Sequence, residues 1–145
     1  LRVGGPEHEV CRFAAAARGE VQGERSPLDF HKMKPAEDAQ FKARYGYGDK
    51  CEWACAVWGT KWNANVIDRE GPEKDYDDEW VVRYSFDTAC SPPLPLIKRA
   101  AELYPSLSFD LRYYEGAMGF HGMFVAEGSQ VTTDESAPYY GTRGG

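Results

Sequence analysis

Nine consecutive residues, Glu79 to Asp87, alternate without a break, with Trp80, Val82, Tyr84 and Phe86 on one side and Val81, Arg83, Ser85 and Asp87 on the other. Successive side chains of a strand point to opposite faces, so this pattern fits a strand with one buried and one wet face. Leu107, Phe109, Leu111 and Tyr113 repeat the period through Leu107–Tyr114. Glu115-Gly116 then supplies a turn, and Met118–Ala126 returns as the partner strand of a hairpin. An antiparallel sheet with one apolar face needs a cover, which the rest of the chain must provide.

Two segments have the spacing to provide it. Between Pro6 and Arg18, Val10, Phe13, Ala14 and Ala17 fall at i, i+3, i+4 and i+7, after a proline and two glutamates suited to a helix start and before Gly19, suited to its end. Ile97, Ala100, Ala101 and Tyr104 repeat the stripe between the prolines of Ser91-Pro92-Pro93-Leu94-Pro95 and Pro105. Leu1–Val3 reads as a strand whose beginning is cut away, turning at Gly4-Gly5. The expected fold is an α+β sandwich with helices on one face of an antiparallel sheet. Its core is built on Trp80, Tyr84, Phe86, Phe109, Leu111, Phe120 and Phe124. Glu20–Pro35 reads as irregular, with Leu28–Phe30 as a short strand; Ala36–Tyr45 reads as a helix, and a second helix runs from Asp49 to about Trp58. The domain is thus predicted over 1–127 with a helical insertion at about 31–63, and 128–145 as an extended C-terminal tail carrying Tyr139 and Tyr140.

At 145 residues, with 42% hydrophobic and 14% aromatic side chains, the chain can bury a real core. Its longest apolar runs, Phe13–Ala17 and Ala54–Trp58, fall far short of the roughly 20 residues that span a bilayer, and Leu1–Gly5 has no signal-peptide pattern. A cytoplasmic protein is expected, with Cys11, Cys51, Cys55 and Cys90 as reduced thiols. The net charge of −6 opposes non-specific binding to a phosphate backbone, so nucleic acid is a poor partner unless a local basic patch exists.

Several groupings carry the residue types of a functional site. Cys51 and Cys55 share a helical face and, with His31, have zinc-ligand chemistry; Cys51, Ala54, Cys55 and Trp58 equally form an apolar stripe, which is preferred. Asp75, Asp77, Asp78 and Glu79 cluster oxygens but lack the glycine and distant glutamate of an EF-hand loop, so a solvated acidic loop is expected. Neither a metal nor a cofactor is expected. Cys90, His121 and Asp87 are the types of a nucleophile, base and orienter without evident geometry. On the polar sheet face, Arg83, Ser85, Asp87, Asp110, Arg112, Tyr114 and His121 mix signs and lack the aromatic signature of RNA-recognition folds. Trp58-Gly59-Thr60-Lys61-Trp62-Asn63 is richer: two indoles flank a cation and an amide follows, a grouping that can anchor a partner. The preferred reading nonetheless has both indoles packed on the core, Trp62 folding back over it after Gly59, with Lys61 reaching to water.

That stretch, together with Ser85-Phe86-Asp87-Thr88-Ala89 and Ser91-Pro92-Pro93-Leu94-Pro95, resembles a family of plasmid and bacteriophage proteins named for the YubB ferredoxin-like domain. Leu1-Arg2-Val3-Gly4-Gly5-Pro6-Glu7, Leu28-Asp29-Phe30 and Tyr113-Tyr114-Glu115-Gly116-Ala117-Met118-Gly119-Phe120 fit the same pattern. The chain departs from it in lacking a polar lead before the first strand and in carrying Cys90 where a bulkier residue is expected. The resemblance implies a ferredoxin-like fold and a mobile-element origin, and brings no reaction or cofactor. The expected function is a non-enzymatic accessory protein that binds a host macromolecule, a host protein above all, through Trp58, Lys61, Trp62, Asn63 and Asp87. The rival is a small enzyme or ligand-binding domain with a cleft between the Trp58–Asn63 loop and the polar sheet face, where Asp87, Glu115 and His121 are the acid–base candidates. An RNA-binding module is the third reading. A concave pocket gathering Lys61, Asn63, Asp87 and Glu115 separates the first two.

Overall fold

The computed structural model describes residues 1–33 and 50–138. In chain order its elements are β1 (Arg2–Gly5), α1 (Glu7–Ala16), β2 (Gly19–Val21), β3 (Glu24–Ser26), α2 (Phe30–Met33), α3 (Lys50–Val57), β4 (Asn65–Lys74), β5 (Trp80–Asp87), α4 (Leu94–Leu103), β6 (Ser108–Glu115), β7 (Phe120–Glu127) and β8 (Gln130–Pro138). The large sheet runs β4-β5-β1-β6-β7-β8 with every pairing antiparallel. Taking β1-α1-β4-β5-α4-β6 alone gives the βαββαβ order and 2-3-1-4 strand sequence of a ferredoxin-like fold. β7 and β8 widen the sheet beyond it.

The alternating segments become β5, β6 and β7, with β6 and β7 paired from Ser108↔Glu127 to Glu115↔Phe120. Val10, Phe13 and Ala14 of α1 and Ile97, Ala100 and Ala101 of α4 are buried on one core with Val3, Val82, Tyr84, Phe109, Leu111 and Phe124, and Tyr104 packs against its margin. Phe13 holds the centre, meeting Tyr104 at 5.3 Å and Phe109 at 5.5 Å edge to face. Each fully buried aromatic or branched side chain there contributes roughly 1.5–3 kcal/mol.

Four expectations are corrected. Gly4 and Gly5 belong to β1, opposite Val81 and Trp80, so the strand does not turn at Gly4-Gly5. Leu28–Phe30 is no strand; Phe30 begins α2. The irregular stretch before it holds the hairpin β2–β3, closed by Gln22 and Gly23 at φ 52° and 81°, the left-handed pair that a two-residue turn requires. Gln130–Pro138 is not a tail outside the sheet but its sixth strand, paired along β7 from Glu127↔Gln130 to Phe120↔Pro138. The expected helix at Ala36–Tyr45, the cap at Asp49, and Tyr139 and Tyr140 lie outside the described residues. Among the described residues no helix is long and apolar enough to cross a membrane.

Candidate functional site

α3 stops at Val57, and Gly59, at φ 89°, turns the chain while its N–H donates to Ala54 O and Cys55 O. A Cβ at this position would sit 2.5 Å from Pro95 Cδ, so only glycine lets the turn approach the proline run. Thr60 follows, fully buried, its Oγ1 donating to Ala89 O and accepting from Ala89 N–H, each at 3.1 Å. From the other side Ser91 Oγ donates to Gly59 O at 2.6 Å, and Thr88 Oγ1 donates to Ser91 O at 2.8 Å. The two stretches that stand out in the sequence are therefore one clasp: the Gly59–Asn63 loop locked onto the turn between β5 and α4.

Asn63 closes the other end. Its Oδ1 accepts from Phe30 N–H at 2.9 Å and Ala64 N–H at 2.8 Å, while its amide donates to Asp29 Oδ1 at 2.7 Å. Asp29, itself buried, also accepts from the backbone N–H groups of Glu20 and His31. Asn63 is thus a structural tie between α2 and the loop. Trp58 is 3% exposed, edge-on to Phe30, His31 and Trp53, and belongs to the core rather than to a surface. The buried stripe of α3 is Ala54, Val57 and Trp58; Cys55 is exposed and a free thiol, as are Cys11 and Cys90, so the cysteine stripe is corrected. Trp62 does not fold back over the core: the buried place in the loop goes to Thr60, and Trp62 stands 67% exposed beside exposed Lys61.

A cavity of about 760 Å³ opens where β5 and β6 run past the start of β1, walled by Asp87, Cys90, Tyr113, Tyr114, Glu115 and Phe120 among others. Asp87 and Glu115 share that wall, and Lys61, Asn63 and His121 take no part in it. Glu115 accepts the Ala117 N–H at 2.8 Å, within its own turn. His121 stands on β7 opposite Tyr114. The acidic loop is solvated at Asp77 and Asp78, as expected, but not at Asp75, which bridges Arg2 and Arg83, while Glu79 also holds Arg2. Backbone and guanidinium hydrogen bonds, first that of Tyr76 N–H and then those of Arg2 and Arg83, hold the Asp75 carboxyl below its ordinary range. Among the described residues no three His, Cys, Asp or Glu side chains gather as a metal site.

Comparison with known proteins adds the family. The model of a ferredoxin-like domain in Api92-like protein matches residues 58–140, which include the clasp and β4 through β8. The crystal structure of a protein api92 from Yersinia pseudotuberculosis superposes with a TM-score of 0.53 at 16% identity, over 81% of this chain and 42% of that one. Such a likeness speaks for the fold, and this chain spans less than half of that protein's length. No curated protein matches. The name carried by these matches is Api92, not YubB.

Proposed function

The chain belongs to the family of ferredoxin-like domains of Api92-like proteins, and from that premise we propose that it is a non-enzymatic accessory protein binding a host protein through Lys61 and Trp62. One observation carries this reading: a tryptophan two-thirds exposed on a loop whose neighbours Thr60 and Asn63 are both fixed by hydrogen bonds. An indole held ready costs little ordering entropy on binding, and tryptophan is enriched where interfaces concentrate their energy. Lys61 beside it supplies a charge for orientation. The plasmid or phage setting, and with it the cytoplasm of a bacterial host, rests on the sequence resemblance of the clasp motifs. Asp87, outside the clasp's bonds and exposed, is a rim candidate only.

The test is capture from bacterial lysate with three tagged proteins: wild type, Trp62→Ala, and Tyr76→Ala as a control at a fully exposed aromatic. A stoichiometric partner kept by the control and lost by Trp62→Ala supports the proposal. A partner held equally by all three refutes it.

A further inference from the structure

β1 is the shortest strand of the large sheet and lies between two that outrun it. Its pairing with β5 reaches Leu1, whose nitrogen donates to Tyr84 O while Tyr84 N–H donates to Leu1 O, each at 2.8 Å. From there β5 runs on through Ser85, Phe86 and Asp87, and β6 runs on from Arg112 to Glu115, with no strand between them among the described residues. The cavity of about 760 Å³ is this gap. Strands that flank a third are two spacings apart, roughly 10 Å, so the gap is one strand wide.

The ladder dictates what fits there. Every second residue of an antiparallel strand turns both backbone groups to the same neighbour, so after Tyr84 the next residue of β5 to face the gap is Phe86. Arg2 turns its groups the other way, towards Asp110, so the next residue of β6 to face the gap is Arg112. The two sides of the gap differ in chemistry. Towards the helices, Phe86 and Tyr113 are only partly buried on the core margin, with Phe120 6.3 Å from Tyr113 and Pro92 in the same wall. On the open face of the sheet stand Ser85, Asp87 and Arg112, all exposed. Arg112 is met by Asp110, whereas Asp87 and Glu115 form no ion pair with any described residue, so the mouth of the gap is acidic.

We propose that the gap binds an extended segment of another polypeptide, added as a strand in line with β1 and antiparallel to both β5 and β6. Continuing the register places a basic residue of that segment opposite Asp87, then an apolar one opposite Phe86 and Tyr113, then a small polar one opposite Ser85 and Arg112. Main-chain hydrogen bonds supply the affinity of such strand addition and the alternate side-chain places supply its selectivity. Here the added strand has a neighbour on each edge, where addition at the rim of a sheet gives it one. The site is separate from Lys61 and Trp62, so either can fail without the other.

The probe is the acetylated and amidated peptide Thr-Lys-Val-Thr, titrated into the whole chain with backbone amide NMR shifts as readout. Saturable shifts centred on the amides of Phe86 and Arg112 are expected. Methylating the valine nitrogen removes the N–H that faces Phe86 and keeps the side chain, and should weaken binding about tenfold. Exchanging the lysine and valine of the peptide should weaken it as much, because the cation then meets Phe86 and Tyr113. Asp87→Asn should bind the parent peptide several-fold more weakly with an unchanged melting temperature, and Trp62→Ala should bind it as the wild type does. Absence of saturable shifts, shifts centred away from the gap, or undiminished affinity for the methylated peptide, for the exchanged peptide or in Asp87→Asn would each overturn the assignment.

Discussion

The clasp and the Arg69–Tyr84 pair of the β4–β5 ladder treat buried polar groups in opposite ways. In the clasp, Thr60, Asn63, Asp29 and Ser91 each find partners between 2.6 and 3.3 Å, while the Trp58 indole N–H beside it goes without. In the pair, a tyrosine hydroxyl and an arginine Nε are sealed with nothing to bond. A satisfied network fixes geometry, so its residues are scaffold and its value lies in what it presents, here Lys61 and Trp62. An unsatisfied one costs stability and fixes nothing.

The contrast can be broken in six places. The largest effect belongs to Trp58→Ala, which empties a core aromatic and should cost about 3–5 kcal/mol in chemical denaturation. Asn63→Ala should follow at about 1–3 kcal/mol, because it takes one donor from the buried Asp29 carboxylate and strands two backbone N–H groups. A near-neutral result would make Asn63 a binding residue after all. Thr60→Val keeps the shape and removes only the two bonds to Ala89, so about 1–2 kcal/mol is expected.

Tyr84→Phe tests the other side. Burial pushes the Tyr84 hydroxyl up to about 12, from an ordinary 10. Its folded pKa is raised, so the native state keeps the proton where the unfolded chain has lost it; the associated stability is whole below pH 10 and lost as pH rises towards 12. The variant should abolish that alkaline component and leave neutral-pH stability level or slightly higher. Smallest of all, Trp62→Ala and Lys61→Ala should each change stability by no more than about 0.5 kcal/mol. A loss for Trp62→Ala approaching that of Trp58→Ala would mean the loop is structural throughout.

What the sequence made legible was whatever one buried face imposed. Trp80–Asp87 and Ser108–Glu115 alternate because the core lies on one side of them, and Val10, Phe13 and Ala14 mark α1 for the same reason. β4 gave no such sign: it lies at a sheet edge, Val66 alone among its aliphatic side chains packs on the core margin, and two register shifts break its period. β8 is the opposite edge and almost wholly exposed, so Gln130–Pro138 reads as loop composition. The β2–β3 turn hid behind Gln22, which took the left-handed place usually held by asparagine or glycine. Within the site, the importance of Trp58–Asn63 was visible but its roles were crossed. Only contacts distant in sequence, Thr60 with Ala89 and Asn63 with Asp29, decide which of six residues are tied down and which face water.

The most direct test of the interaction surface is hydrogen exchange of the protein with and without its captured partner. Slowed exchange centred on the amides of Lys61 and Trp62, with the β6–β7 and β2–β3 hairpins unchanged, is the predicted footprint. Unaltered exchange across the Thr60–Asn63 loop, with protection appearing elsewhere, would contradict it.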